Sequence, residues 1–327
     1  MADKLNLKTK SVSGPTAAIL LLVALAIPPF LSAINLNYGI LICCFVLLYV
    51  VAVSGLDVVF GYSGQISLGH AAYFAIGAYG SIMLHKYFGV TIVFSMLIAS
   101  AVATIIGIVI AYPASRLRFH FLSLSTIAFG EIVYQLVLQS PSAVTGNSLG
   151  IFTEPISFFG FKLDTYTRFY YYGLAVMVIS LILKNNLINS KTGRALIAIR
   201  ENAHAADGAG INVTRHKVIA FAVSTFYCAY AGAMYAHLVR FISPDTFMFR
   251  QSVLFLTMLL FGGTGSLLGP VIGAFSVTLL NEALRVAEKY QMFIYGTLML
   301  LVIIALPGGI YGSLKRLLNR FKRKEAR

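Results

Sequence analysis

Four polar side chains lie among glycines in the stretch from Gly61 to Ala72. The stretch reads Gly-Tyr-Ser-Gly-Gln-Ile-Ser-Leu-Gly-His-Ala-Ala, inside a hydrophobic chain. Such side chains can hydrogen bond between packed helices, and small residues let those helices approach closely. Two interpretations stay open. One is tight helix packing, with His70 as a packing residue rather than a ligand or proton carrier. The other is a translocation path or hinge formed by Gly61, Gly64, Gln65, Ser67, Gly69 and His70.

Two further stretches have a similar character. Glu131 lies in the apolar sequence Phe-Gly-Glu-Ile, and a carboxylate at membrane depth is costly unless it has a role. It either contributes to the translocation path or holds helices together by bonding to backbone or serine. A second glycine-rich turn extends from Gly262 to Gly273, and its Gly262, Gly263 and Gly265 are assigned to the same path or hinge.

The sequence lacks a nucleotide-binding motif. Lys191-Thr192 has the end of a P-loop signature, but residues 185–190 contain no glycine to form a phosphate cradle. Its three cysteines fall inside apolar runs without metal-ligand spacing. We therefore expect no enzyme activity, no catalytic residue, no metal site and no cofactor on this chain. If ATP drives its function, a separate subunit must bind the nucleotide.

The elements that must position these residues are membrane segments. The chain has 327 residues, of which 58% are hydrophobic and 11% charged, against about 25% charged in soluble domains. This predicts an all-α polytopic membrane protein with about ten hydrophobic segments, some of them broken or re-entrant half-helices. The segments are 17–34, 39–60, 64–84, 90–112, 121–139, 167–183, 217–238, 251–264, 267–284 and 291–306.

The basic residues predict the orientation. Eighteen of the 25 Lys and Arg residues fall on one side if both termini are cytoplasmic, as the positive-inside rule requires. The net charge of +14 therefore indicates topology and not nucleic-acid binding. The predicted parts are a cytoplasmic tail 1–16, a transmembrane domain 17–306 that includes the cytoplasmic loop 184–217, and a basic cytoplasmic tail 307–327.

The longest loop predicted on the cytoplasmic side is 184–217. Within it, residues 195–206 are rich in helix formers, and Gly208 and Gly210 follow as a helix stop. A short helix of this kind suits docking into a groove of another protein. A solvated loop that only sets topology is the alternative. On the other side, loop 140–166 contains Thr145, Gly146 and Asn147, which could contact an external partner or form an ordinary turn.

Several stretches together resemble one family, the bacterial ABC permeases for branched-chain amino acids, and within it the M-type subunit. The matching stretches occur in the family's order: 61–72, 124–132, 193–212, 243–274 and Leu306-Pro-Gly-Gly-Ile310. The chain departs from the family's usual pattern at 118–121 and at 144–150.

This resemblance implies a permease subunit that imports branched-chain, hydrophobic amino acids across the bacterial inner membrane. It also implies a heterodimer with a second permease, two cytoplasmic ATP-binding subunits and an external solute-binding protein. By the same resemblance, 193–212 is a coupling helix that docks in the ATPase through Arg200, Glu201, Ala205 and Gly210. The alternatives are a urea or short-chain amide ABC permease and, from another class, a self-sufficient secondary transporter or channel.

Overall fold

The computed structural model describes residues 14–34, 36–115, 119–158, 161–285 and 308–313, with a few single positions between 290 and 301. Its helices, in chain order, are α1 (Gly14–Ala33), α2 (Asn37–Asp57), α3 (His70–Phe88), α4 (Ile92–Ala114), α5 (Phe119–Gln139), α6 (Ser142–Thr145), α7 (Tyr166–Asn189), α8 (Lys191–Glu201), α9 (Ala203–Gly208), α10 (Val213–Val239), α11 (Phe249–Gly262) and α12 (Gly269–Ala283).

Helices α2 and α10 form the centre of the bundle. The α2 span is 72% buried and the α10 span 61% buried, against 17% for α5. The α2 sequence is apolar on all sides, which is typical of a helix surrounded by other helices. It continues without a break into a π-helical turn, Val58–Tyr62. Turns of this type often mark functional positions, and this one begins directly after Asp57.

Short loops alternate between the two ends of the bundle. One end carries the turn after α2, the α8–α9 segment and the turn between α11 and α12; we call it the coupling end. The opposite end carries two antiparallel strand pairs, β1 (Ile151–Phe152) with β4 (Phe241–Ile242), and β2 (Ser157–Phe158) with β3 (Phe161–Lys162). Both glycine-rich stretches therefore lie at the coupling end.

Nine of the ten predicted segments coincide with a helix, and five described helices are long and apolar enough to cross a membrane. The tenth segment, 291–306, falls mostly outside the described residues, so the count of ten stays a prediction. Helix α11 has 14 residues, which is about 21 Å of helix and less than the hydrocarbon core of about 30 Å. Its length agrees with the expected half-helix.

Two boundaries differ from the sequence prediction. The third segment was expected from residue 64, but its helix begins at His70 because residues 64–69 are non-helical. The loop 184–217 is shorter than expected because α7 continues to Asn189 and α10 begins at Val213. As a consequence, Lys184 is not a loop residue. It is fully buried inside the bundle, where an ion pair compensates its charge.

Candidate functional site

A buried ion pair lies at the coupling end of the bundle. Lys184 Nζ on α7 donates to Asp57 Oδ2 at the end of α2 over 2.7 Å, and both side chains are 0% exposed. The ammonium also lies 5.9 Å from the centre of the Tyr62 ring. Removing two charges from water is costly unless each is fully paired, so these two helices are held at a defined separation.

The pair also binds the turn between α11 and α12. The Gly265 backbone N–H donates to Asp57 Oδ1 at 2.7 Å, and Lys184 Nζ donates to the Ser266 carbonyl at 3.2 Å. Asp57 and Lys184 therefore bond to each other, and each also bonds to one backbone group of the turn. Three separate parts of the chain are fixed together by four charged or backbone groups.

Arg200 connects this arrangement to the α8–α9 segment. Its Nη1 donates to the carbonyl oxygen of Gly61 in the π-helical turn. The Arg200 side chain also lies against Gly64. Its Nη1 lies 3.4 Å from the place that a Cβ of Gly265 would occupy. One predicted coupling residue therefore bonds to the first glycine-rich stretch and lies beside the turn of the second, the two stretches that the sequence assigned to the path or hinge.

Two of these glycines are required by the geometry. A Cβ on Gly61 would overlap Asp57 Oδ1 and lie 2.6 Å from the Gly265 nitrogen. Gly265 has φ +69°, a left-handed conformation that strains other residues. Any larger residue at Gly61 would therefore separate the π-helical turn from the second glycine-rich turn.

The fifth stretch of the resemblance also reaches this site. A Cβ on Gly263, which has φ +109°, would lie 2.6 Å from the Gly308 carbonyl oxygen. Gly262 in turn packs against the backbone of Gly269 and Gly273. The glycines at 61–65, 262–265 and 308–309 thus form one close-packed junction at the coupling end.

The remaining polar residues of the first stretch are engaged in packing. His70 is 1% exposed, and its ring nitrogens lie 3.2 Å from Ser67 Oγ and 2.7 Å from Ser224 Oγ. The Gln65 amide donates to Ser63 Oγ and, at 3.4 Å, to the Lys217 carbonyl. The role of His70 as a packing residue agrees with these contacts.

Gly69 packs against the Thr126 backbone of α5, and the Leu68 N–H donates to Thr126 Oγ1 at 3.1 Å. The non-helical segment 64–69 is therefore attached to α5 on one side and to α10 on the other.

The other predicted coupling residues form an exposed surface beyond Arg200. Glu201, Ala205 and Gly210 are all exposed. Asn202 separates α8 from α9, and its Oδ1 accepts from the Ala205 N–H at 3.1 Å as a helix cap. Gly210 has φ +81° and no atom within 4 Å of its Cβ position. Nothing in the described chain covers this surface.

Glu131 lies on the exposed face of α5. It accepts from Gln135 Nε2 at 2.9 Å, and Gln139 Nε2 donates to Gln135 Oε1 at 3.3 Å. These bonds are within one helix, and no bond from Glu131 to another helix occurs in the described part of the chain. The carboxylate is therefore not seen holding helices of this chain together. Its assignment to the path stays a prediction.

The residues predicted in the outer loop form a compact turn. Thr145 is 2% exposed, its Oγ1 donates to the Val137 carbonyl at 3.0 Å, and it accepts from the Asn147 N–H at 3.3 Å. Gly146 has φ +78° and Asn147 φ +52°. Ser148 completes a Gly-x-Ser-x-Gly spacing, but the turn follows a four-residue helix and not the strand that a nucleophile elbow requires.

Sequence reasoning missed Asp57 and Lys184. They are 127 positions apart, so no spacing connects them. The available signal was Asp57 itself, the sole acidic residue between Asp3 and Glu131, placed near the end of a long apolar run. A buried acid of this kind requires a basic partner, and Lys184 lies at the end of another such run.

Comparisons with known proteins identify the family of this chain. Residues 38–303 match the family described as the permease component of branched-chain amino acid transport systems. The chain is 31% identical to the high-affinity branched-chain amino acid transport permease LivM of Salmonella typhimurium, over 89% of this chain and 73% of that protein. For LivM of Escherichia coli the identity is 31%, over 92% and 79% respectively.

A fructose import permease, FrcC of Rhizobium meliloti, is 29% identical over 53% of this chain and 51% of its own length. No solved structure matches this chain. The family match covers the first glycine-rich stretch, the α8–α9 segment and the second glycine-rich turn, which meet at the junction described above. The chain therefore belongs to the family of permease components of branched-chain amino acid transport systems.

Proposed function

We propose that this chain is the permease subunit of an ATP-binding-cassette importer that moves branched-chain amino acids across the bacterial inner membrane. The observation that carries the proposal is the bond of Arg200 to the Gly61 carbonyl, beside the Gly265 turn. It connects an exposed segment to the interior of a membrane bundle. The substrate class follows the printed names of the LivM relatives.

The orientation belongs to the same proposal. The coupling end is cytoplasmic because the positive-inside rule places the basic loops there. Both termini then lie on that side. Cysteine substitutions at exposed positions test this orientation: Ala205→Cys should react with a membrane-impermeant thiol reagent only after the membrane is opened, and Ser148→Cys in intact cells.

The proposed partners supply functions for which this chain carries no motif. Its sequence has no nucleotide-binding motif, so we assign ATP hydrolysis to two cytoplasmic subunits. The exposed surface of Glu201, Ala205 and Gly210 is the proposed contact with one of them. A second permease completes the bundle, and an external solute-binding protein delivers the amino acid to the outer end.

The proposed mechanism is mechanical. Closure of the ATPases moves α8 and α9, and Arg200 transmits this movement to the π-helical turn after α2. The Asp57–Lys184 pair holds α2, α7 and the Gly265 turn together, so these elements move as one unit. The access of the path then changes from the outer to the inner side.

The second permease is proposed to face α5. Its span is 17% buried, and Glu131, Gln135 and Gln139 are polar groups on a membrane-length helix. Lipid-exposed polar groups are unfavourable, so they normally face a bundle interior or a water-filled cavity. A path between two permeases satisfies this requirement.

Affinity purification in mild detergent tests the proposal. We expect two nucleotide-binding subunits and a second permease to copurify with this chain, and uptake of labelled leucine by the complex to be blocked by unlabelled leucine but not by urea. Competition by urea alone would favour a urea or short-chain amide permease. Transport by the chain without partners would favour a secondary transporter or channel.

A further inference from the structure

A basic cleft lies at the coupling end, between the start of α8 and the start of α10. Its volume is about 440 Å³, within the range of about 300–1,000 Å³ of small-ligand sites. Four basic side chains line it, and its lining contains no Asp or Glu. They are Lys191, Arg194, Arg215 and His216.

The basic groups of the cleft are not neutralised by the described part of the chain. The ion pairs found there involve other residues. Arg194 Nη1 donates to the Asn189 carbonyl at 3.1 Å, and His216 Nδ1 lies 2.8 Å from the Asn212 carbonyl. These partners are neutral, so the positive charge of the cleft is uncompensated.

Two helix N-termini reinforce this charge. Lys191 and Arg194 lie in the first turn of α8, which has 11 residues, and Arg215 and His216 in the first turn of α10, which has 27. A helix N-terminus carries a partial positive charge and favours anions. Residues from both first turns line the same cleft. The two partial positive charges therefore add to the positive charge of the basic side chains.

The position of the cleft identifies the class of anion. Helix α7 ends at Asn189, two residues before Lys191, and the membrane-length helix α10 begins at Val213, two residues before Arg215. The basic groups therefore lie where two spans leave the hydrocarbon, at the level of lipid headgroups. Basic pockets between membrane helices on the cytoplasmic side bind anionic lipid headgroups.

We propose that this cleft binds the phosphate headgroup of an anionic phospholipid such as phosphatidylglycerol. The lipid would anchor the start of α8 to the start of α10, beside the segment that carries Arg200. The proposal rests on the cytoplasmic orientation proposed above, and the cleft borders the proposed ATPase contact because Gly210 also lines it. Lipid binding is nevertheless measured on the intact chain without any measurement of uptake.

Native mass spectrometry of the detergent-purified full chain tests the site, with phosphatidylglycerol as probe. The test variant is Lys191→Gln/Arg215→Gln, since each basic residue near an anionic lipid contributes a factor of about 5 in affinity. We expect the apparent affinity for phosphatidylglycerol to fall roughly 10- to 30-fold. The matched control is Lys86→Gln/Arg250→Gln, which removes the same charge at the opposite end and should change the affinity less than about twofold.

Two further probes test whether the cleft binds other molecules that carry a phosphate group. Phosphatidylcholine and inorganic phosphate should neither bind comparably nor displace phosphatidylglycerol. Unchanged binding of phosphatidylglycerol to the test variant, equal loss in the control, or full displacement by inorganic phosphate would each overturn the proposal. So would a variant that binds the lipid normally but no longer retains an ATP-binding subunit, since the cleft would then recognise an acidic protein.

Discussion

At the scale of single residues, the charge pair Asp57–Lys184 is the group most sensitive to substitution. Both side chains are fully buried and 2.7 Å apart. Loss of one partner leaves the other charge buried without compensation, which typically costs about 3–5 kcal/mol. The pair therefore makes α2, α7 and the Gly265 turn dependent on one another.

We predict that Lys184→Met lowers the free energy of unfolding by about 3–5 kcal/mol, measured by chemical denaturation in detergent. Asp57→Asn/Lys184→Met should recover part of this loss, because asparagine is neutral and keeps an oxygen that can accept from the Gly265 N–H. The exposed Lys86→Met serves as control. If Lys184→Met were as stable as the parent, the pair would have no structural role.

We also predict that Glu131→Gln reduces leucine uptake by roughly tenfold, since hydrogen bonds to charged groups contribute about 1.5–3 kcal/mol and neutral ones less. Radiolabelled uptake at equal membrane content measures the effect. Glu154→Gln, which removes an exposed carboxylate at the outer end, is the control. Undiminished uptake by Glu131→Gln would remove the carboxylate from the translocation path.

The sequence predicts some of these residues but not all of them. The glycines at 61–65 and 262–265 stand out because polar and small residues interrupt apolar runs, and the structure brings them into contact. The Asp57–Lys184 pair could not be predicted, because only tertiary packing brings residues from α2 and α7 together. Lys184 was assigned to a loop because a charged residue ends a hydrophobic window, whereas the helix continues to Asn189.

At the scale of elements, the proposed coupling function is divided between α8 and α9. Helix α8 carries Arg200 towards the bundle, and α9 presents Ala205 at the surface. Asn202 caps α9 and changes the chain direction between them. Contact with the bundle and contact with a partner can therefore be separated by substitution.

We predict that Arg200→Ala reduces uptake while the complex stays assembled and still hydrolyses ATP. Its loss removes the bond to the Gly61 carbonyl but leaves the exposed α9 surface intact. The ratio of solute moved to ATP hydrolysed, in proteoliposomes, measures the effect, with Arg250→Ala as control. An unchanged ratio would exclude Arg200 from transmission.

Ala205→Arg tests the other half of the segment. We expect it to abolish coupled transport and retention of the ATP-binding subunits, because a bulky charge replaces a small residue on the docking surface. The protein should still insert in the membrane, since the side chain is exposed, and Ala205→Ser should behave as the parent. Normal uptake by Ala205→Arg in proteoliposomes would contradict the docking assignment.

At the scale of the whole molecule, the chain is a bundle whose core lies around α2 and α10. The hydrophobic pattern predicted the nine segments that coincide with helices, because membrane spans require long apolar runs. It did not predict that residues 64–69 are non-helical, because tertiary hydrogen bonds attach this segment to α5 through the Leu68 N–H and to α10 through the Gln65 amide. Within the described part of the chain, the α5 span is only 17% buried.

The central claim is that this bundle moves solute only when separate ATPases act on the α8–α9 segment. The most direct test is leucine uptake into proteoliposomes that contain the permease pair and the solute-binding protein, with and without the ATP-binding subunits. We predict uptake only when those subunits and ATP are both present. Uptake by the purified permease alone, without ATP, would contradict it.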